Sequence, residues 1–535
     1  MKRTKIVCTI GPASETKSKI EQMIQSGLNV ARLNFSHGSY QHHQMLISNI
    51  RAVSSKLKVP IAILQDLQGP RIRIGNVSKE GIKVAAGQKI FLVPEHFKIA
   101  LKDITTFIPV QYADLYRYLK PGKAILIDDG KIQLQVTAIK NKAIECKVKI
   151  GDLITANRGM NFPGSDITAP AITEKDKADL LFGLKQNIDF VALSFVKDEK
   201  DIINLRKIIY QTESQLGRKL KDYQKPKRSG NWPGTHTKII AKIERPQAIA
   251  NFEKILQAAD GIMVARGDLG LEVPLEDLPL IQKRIIQHCV AVSKPVIVAT
   301  QMLDSMIKYP VPTRAEVSDV ANAILDGTDA IMLSGETATG KYPLRAVKVM
   351  TKIAWEMEKN DLNKSANLIP RVKMAGDITE TVSFAVQNIA TQVNAKLIIC
   401  ATTSGFTARS IAKYRPKISL LAMAATEKTR NQLCLSWGVR PHHLPFVSNF
   451  NDLISKIKKL LLAENLVNQK DIIVIAAGHP FGFLGQTNLV KVETIWISQK
   501  LKGKSQNYAG FAEHSRSLWG DRNNLKFKSD LSVNF

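Results

Sequence analysis

Eight short apolar runs separated by helical stretches constrain this chain more than any other feature. They are Lys5–Thr9, Asn29–Leu33, Ile61–Leu64, Phe190–Leu193, Lys238–Ile243, Gly261–Val264, Pro295–Ala299 and Ala330–Leu333. Runs so short and so uniformly apolar suit strands buried on both faces. Helical spacing marks Glu15–Ser26, Tyr40–Lys56, Asp198–Tyr210, Pro246–Gln257, Leu278–Val292, Arg314–Leu325 and Pro343–Met357. Strands alternating with helices make parallel pairs joined by crossovers. Eight such units over about 250 residues make an α/β fold, a (β/α)8 TIM barrel.

The rhythm breaks after the third run. From about Pro70 to Thr168 the runs are short and alternating, with turns at Pro121-Gly122, Asp128-Asp129-Gly130 and Gly151-Asp152. This reads as a small all-β domain (70–169) inserted between two barrel segments (1–69 and 170–360). Near Asp377 a further region begins, with strands Lys396–Cys400, Ile418–Ala422 and Ile472–Ala476. It reads as an open α/β domain (370–500). The polar tail 501–535 lacks periodicity and is expected to be mobile or loosely docked. Gln211–Thr237 carries Arg218, Lys219, Lys221, Lys225, Lys227 and Arg228 without a pattern. It follows a helix and precedes a strand, which puts it on the barrel face away from catalytic loops; a solvated surface loop is expected.

The balance of 76 basic and 47 acidic side chains gives +29, which calls for anionic partners: nucleic acid, anionic lipid or phosphorylated metabolites. Cys8, Cys146, Cys289, Cys400 and Cys434 are scattered without a CxxC or Cys/His spacing, so neither a disulfide framework nor a zinc site is indicated. No apolar run reaches the length of a membrane span, and Met1–Thr9 has no signal-peptide core. The expectation is a cytoplasmic protein without a membrane partner.

Barrel enzymes carry their chemistry at the C-terminal ends of the strands. Here those ends supply Arg32, Asn34, Ser36 and His37 (second strand), Asp66 (third) and Lys242 with Glu244 (fifth). Gly267 with Asp268 (sixth), Thr300 (seventh), and Ser334 with Glu336 (eighth) complete the ring. Glu244 and Asp268 come from neighbouring strands and offer hard oxygen ligands that suit Mg²⁺. The alternative is an ion pair of these carboxylates with Lys242 or Arg266. Lys242 and Glu244, two residues apart, leave the same strand face. A lysine there would neutralise charge developing on an oxygen. Walker A, protein-kinase and Rossmann signatures are absent.

Eight stretches then match one family in its own order: Lys5-IVCTIGPAS, Ala31-RLNFSHG, Asp66-LQGPRIR, Ile239-IAKIE, Met263-VARGDLG, Ala299-TQML, Pro312-TRAEVSDVANA and Met332-LSGETA. Over about residues 4–500 the chain closely resembles pyruvate kinase of the bacterial type. The resemblance implies a small β-barrel lid at 70–169 and phosphoryl transfer from phosphoenolpyruvate to ADP. It implies Glu244 and Asp268 as ligands of Mg²⁺ or Mn²⁺, and Lys242 and Arg32 on the transferring phosphoryl. Gly267, Asp268 and Thr300 fall at substrate positions. Asn34, His37, Arg73 and Lys175 fall at nucleotide positions. Thr300, Ser334 and Glu336 would feed a proton to the enolate carbon.

Many family members hold K⁺ at positions matching Asn34, Ser36, Asp66 and the Leu67 carbonyl, followed by Thr-Lys-Gly-Pro-Glu. Here the run is Leu67-Gln68-Gly69-Pro70-Arg71, with a base where the acid stands. A guanidinium near that site would repel a cation, so the expectation is that K⁺ is not required. The alternative is that Arg71 points into solvent and K⁺ binds. In the C-terminal region Thr402, Thr403, Ser404, Gly405 and Thr407 lie between a strand and a helix, as a phosphate cradle or a plain capping turn. By resemblance this is an allosteric sugar-phosphate loop, with Gly478–Asn488 beside it, and the assembly a homotetramer. The rivals are another metal-enolate barrel enzyme, which needs neither the lid nor Arg73, and a nucleic-acid binder. The latter has only the charge behind it: aromatics are 6% and no RNA-binding signature is present.

Overall fold

The computed structural model describes residues 2–95, 106–165, 167, 170–217, 236–359, 377–445, 449–479 and 486–496. The tail 501–535, the basic residues Arg218 to Arg228 and most of the 478–488 loop therefore lie outside the described residues.

The eight apolar runs form a closed parallel barrel. Its strands are β1 (Lys5–Thr9), β2 (Val30–Asn34), β3 (Ala62–Asp66), β4 (Phe190–Leu193), β5 (Lys238–Ile243), β6 (Gly261–Ala265), β7 (Val296–Ala299) and β8 (Ala330–Leu333). Each strand pairs with its sequence neighbours, and β1 with β8 closes the ring through Lys5 opposite Ala330. Inward side chains Val7, Val30, Leu64, Phe190, Ile240, Met263, Ile297 and Met332 fill the interior. The barrel is thus a packed core that leaves chemistry to its rim. Crossover helices lie outside, fixed by caps such as the reciprocal Thr313–Glu316 box that opens Arg314–Leu325.

The lid is a six-stranded sheet, mostly antiparallel, over its own apolar core of Ile90, Leu92, Ile125, Leu134, Val136 and Val148. Arg73 bridges Gly159 and Ile74 bridges Val110, one beside each edge strand. Two residues at the lid's entry therefore join both edges and curl the sheet on itself.

The C-terminal region is an open five-stranded sheet: β9 (Leu397–Thr402), β10 (Ser419–Ala424), β11 (Val439–His443), β12 (Ile472–Ala477) and β13 (Leu489–Thr494). The order is β11-β10-β9-β12-β13, with only β13 antiparallel. Sequence pattern missed β11 because it ends in Arg440-Pro-His-His443, and β13 because an edge strand alternates with Lys491 and Glu493.

This region closes the N-terminal end of the barrel. Cys434 and Leu435 join the barrel's interior cluster. Lys5 Nζ donates to Val439 O at 2.7 Å, and Trp437 N to Asp329 Oδ1 at 3.1 Å. Gln432 Nε2 donates to His236 O at 2.7 Å.

The same seam corrects the reading of Gln211–Thr237 as one solvated loop. The helix Glu199–Gln215 runs past Tyr210, and Glu213 on it is fully buried. Its carboxylate meets His236 Nδ1 at 2.7 Å and accepts the Thr237 hydroxyl at 2.8 Å and N–H at 3.1 Å. Helical periodicity did not register Glu213 because an acid at a core position breaks the apolar pattern. Burial pushes this carboxyl's pKa up, but His236, Lys428 and Thr237 outweigh it and bring it down to about 2. A depressed carboxyl stabilises the fold above its unfolded value near 4.5, and that stability is lost as pH falls toward 2. Glu213→Gln should therefore cost about 3 kcal/mol at pH 7. The gap from wild type, read from urea unfolding midpoints, should narrow below about pH 4.5. A gap independent of pH would contradict a charge effect.

Candidate active site

The C-terminal ends of β1 to β5 bring one cationic and acidic cluster together. Arg32 points from β2 across the rim: Nε donates to Asp66 Oδ2 at 2.7 Å and Nη1 to Thr9 Oγ1 at 2.8 Å. Lys242 rises from β5, with Nζ 2.7 Å from Ser194 Oγ, 2.8 Å from Glu244 Oε1 and 3.4 Å from Asp66 Oδ1. Burial alone would lower the pKa of Lys242, but Asp66 and Glu244 raise it above its usual value. The lysine therefore stays protonated at neutral pH and acts as a fixed charge, not a base. Asp66 is pulled the other way: burial would raise it, yet Lys242 and Arg32 hold it below the ordinary carboxylate range.

Glu244 follows β5 directly and is 1% exposed. Its Oε2 accepts the Phe195 N–H at 2.6 Å, and Oε1 lies 2.8 Å from Lys242 Nζ. Burial raises its pKa and the nearby Asp268 raises it further, against the pull of Lys242. Asp268 sits in the short helix Arg266–Leu269 after β6. Two carboxylates that repel each other at one rim are a donor set that suits a divalent cation. Among the described residues no three His, Cys, Asp or Glu side chains form a closed metal cage. The donor set for an ion such as Mg²⁺ would be the two carboxylates, with water and substrate in the rest of its shell. Of the two ion pairs weighed above, Lys242–Glu244 is present; Arg266 instead pairs with Asp319 at 2.7 Å.

Arg71 does not point into solvent. Its Nη2 lies 3.7 Å from Asp268 Oδ1 and 3.5 Å from Asp129 Oδ1 of the lid. It faces the sixth-strand carboxylate, whereas the charge beside Asp66 comes from Arg32 and Lys242. At the K⁺-site positions, Asn34 Oδ1 accepts the Ser36 N–H at 3.2 Å and Leu67 O the Ser194 hydroxyl at 2.8 Å.

The remaining rim residues fall in two groups. His37 is exposed at the end of the β2 loop; burial lowers its pKa first, then the charges of Arg73, Arg32, Arg71 and Lys175 lower it further. These four cations therefore gather around one mouth. Lys175 Nζ ties the helix after the lid to this loop through Phe35 O at 2.8 Å and pairs with Asp179 at 2.6 Å. On the far side, Thr300 and Gln301 hold left-handed backbone, with φ of 70° and 55°. For a β-branched residue this is strained, and it turns Thr300 Oγ1 onto the Gly267 N–H at 2.7 Å. Glu336 spends both oxygens on backbone, accepting Leu303 N–H at 3.1 Å and Ser334 N–H at 2.7 Å. Burial raises its pKa. The Ser334 hydroxyl is buried without a hydrogen-bond partner.

Sequence reasoning missed Thr9, Ser194 and the Phe195 N–H. Thr9 and Ser194 stand at the ends of β1 and β4, the two strands whose ends were not read, and a uniform scan of all eight would have found them. Phe195 has a φ of 56°, which turns its N–H to Glu244.

In the C-terminal region, Thr402 ends β9 and the helix Phe406–Ala412 begins after Gly405. Gly405 takes φ of 80° and donates its N–H to Thr402 Oγ1 at 2.9 Å. Thr407 Oγ1 accepts the Thr487 hydroxyl at 3.0 Å, and Thr403 is exposed while Ser404 is buried.

Comparison with known proteins bears on the family and the fold. The pyruvate kinase barrel-domain model matches residues 1–222 and 216–347, and the pyruvate kinase alpha/beta-domain model matches 380–493. The pyruvate kinase of Clostridium acetobutylicum is 41% identical over 496 residues, covering 92% of this chain and 100% of that protein. The pyruvate kinase of Geobacillus stearothermophilus is 42% identical over 497 residues, covering 92% of this chain and 80% of its own. A crystal structure of a pyruvate kinase from Cryptosporidium parvum superimposes with a TM-score of 0.80 at 35% identity, over 92% of this chain and 96% of that one. The chain belongs to the pyruvate kinase family of phosphotransferases.

Proposed function

We propose that this protein transfers the phosphoryl group of phosphoenolpyruvate to ADP, giving pyruvate and ATP at the end of glycolysis. The observation that carries the reading is Lys242, buried and charged between Glu244, Asp66 and Ser194 and facing the same mouth as Arg32. Arg32, positioned by Asp66, draws in the phosphoryl oxygens. Lys242 balances the charge that shifts to the enolate oxygen as the phosphorus–oxygen bond breaks. The terminal oxygen of ADP takes the phosphoryl group, with Arg73, Lys175, His37 and Asn34 on the nucleotide side. Mg²⁺ or Mn²⁺ held by Glu244 and Asp268 would add a Lewis-acid charge beside Lys242. Gly267 and Thr300 hold the substrate carboxylate. A proton then reaches the enolate carbon by way of Thr300 and Ser334, with Glu336 fixing the two loops that carry them. The lid (70–169) excludes water from the phosphoryl group. A coupled assay for pyruvate tests this: turnover needs both substrates and stops when a chelator removes the divalent ion. Pyruvate made without ADP would contradict it.

K⁺ is not required in this reading, because Arg71 supplies a fixed cation at the mouth. The 402–407 loop binds a phosphorylated metabolite that activates the enzyme; Thr403 is exposed there and the backbone turns at Gly405. Sugar phosphates titrated at low phosphoenolpyruvate should lower its half-saturation several-fold, and no shift with any of them would contradict an effector site. The assembly is a homotetramer. Leu280, Tyr309 and Val311 on the barrel are 51–62% exposed, and Ile378 and Trp496 on the C-terminal region 60–67%. Light scattering should give four chain masses, and a monomer at micromolar concentration would refute it. The substrates place the enzyme in the cytoplasm. Among the described residues no helix is long and apolar enough to cross a membrane.

A further inference from the structure

Two roots join the lid to the barrel. The entry root leaves β3 through Leu67 and Gly69, and the exit root reaches Thr173, which caps the helix Glu174–Lys185. Asp176, in the first turn of that helix, is fully buried. A buried carboxylate needs donors on both oxygens. Oδ2 accepts the Thr173 N–H at 2.9 Å and the Thr173 hydroxyl at 2.6 Å, and Thr173 Oγ1 accepts the Asp176 N–H at 3.1 Å. That reciprocal box caps the helix. Oδ1 makes a contact that no cap requires: it accepts the Gly69 N–H at 3.1 Å, across 107 residues of chain. Gly69 holds φ of 67° against the end of β4, where a Cβ would stand 2.9 Å from Phe195 Cδ2 and 3.1 Å from Ser194 Cβ. Only glycine brings the entry root so close. Each root carries one cation of the nucleotide side: Arg73 follows Gly69 by four residues, and Lys175 precedes Asp176 by one.

We propose that Asp176 clasps the two roots of the lid, a positioning residue that keeps Arg73 and Lys175 in register for the nucleotide. None of the roles assigned above uses it. The clasp needs two acceptor oxygens on one short side chain. The Gly69 and Thr173 N–H groups can only donate, so an amide of the same shape turns its NH2 onto one of them. Asparagine therefore cannot replace aspartate here. Hinges are a few residues at element ends. Fixing both roots at one carboxylate orients the two cations before the nucleotide arrives. The nucleotide register rests on the phosphoryl-transfer reading; the contact between the roots does not.

The test compares wild type with Asp176→Asn, Gly69→Ala and Thr173→Ala. Without ligands, the Gly69 amide should exchange about tenfold faster in Asp176→Asn while β5 to β8 keep their protection. In turnover, Asp176→Asn should raise the KM of ADP about tenfold and leave that of phosphoenolpyruvate, which faces Arg32 and Lys242, within about twofold. Gly69→Ala displaces the entry root with the carboxylate untouched and should give the same split. Thr173→Ala removes the capping hydroxyl but keeps both N–H contacts, and should stay near wild type in both constants. Unchanged Gly69 exchange in Asp176→Asn would overturn the clasp, as would equal acceleration of root and barrel amides. An unchanged KM for ADP, two Michaelis constants that rise together, or a Thr173→Ala that matches Asp176→Asn would overturn it too. Wild type without turnover would sink the phosphoryl-transfer reading and leave the exchange result to decide the clasp.

Discussion

Lys242→Met should lower kcat by about a thousandfold or more while the protein stays folded. Methionine matches the stem in length and apolar character, so the change removes little except the ammonium. That ammonium is the only cation within 4 Å of Glu244 among the described ion pairs, and it also balances Asp66. Its pKa is raised, so the enzyme carries the charge at every working pH. A preorganised donor aimed at a developing oxyanion contributes about two to three powers of ten in rate. Lys242 stands at the upper end because it is buried and donates to Ser194 as well. Loss of the ammonium also leaves the buried Glu244 carboxylate without its ion-pair partner, at a cost of about 3 kcal/mol in stability. Lys242→Arg separates the two effects. It keeps the charge and therefore the stability, but displaces the donor, so kcat should still fall by about a hundredfold. A methionine variant within tenfold of wild type would remove Lys242 from the chemistry.

The second large effect concerns Arg71. Wild type should turn over in K⁺-free buffer, with an inert organic cation, within about twofold of its rate with K⁺. Arg71→Glu should lose about tenfold or more without K⁺ and regain it when K⁺ is added. Two unit charges 4 Å apart at an effective dielectric of 20 interact by about 4 kcal/mol. Arg71 lies at a comparable distance from Asp268. Replacing it with a carboxylate turns an attraction into a repulsion of similar size, which a bound cation would relieve. A wild-type enzyme that loses activity many-fold without K⁺ would contradict this role for Arg71.

Much of the barrel is legible because its strands are buried on both faces, so Ile239, Ile240 and Val264 need no periodic pattern to be found. The rim is legible because polar residues stand where buried strands end, as Asp66 and Lys242 do. What sequence could not give was direction. The sequence puts Arg71 near the K⁺-site positions beside Asp66, whereas its partner is Asp268, because a long side chain can swing to either carboxylate. Glu213 and His236 were hidden for a different reason. Their burial comes from the C-terminal region folding onto the barrel base, and Lys428 and Gln432 lie about 200 residues away. The strain at Thr300 is also invisible in sequence, since nothing local demands a left-handed threonine.

The central claim is that this mouth moves a phosphoryl group from phosphoenolpyruvate directly to ADP. Phosphorus NMR of the wild-type enzyme with both substrates and Mg²⁺ observes it without a coupling enzyme. The expected spectrum loses the phosphoenolpyruvate signal and gains the γ-phosphate signal of ATP in equal amount. Growth of inorganic phosphate in its place, or no change from folded protein, would contradict it.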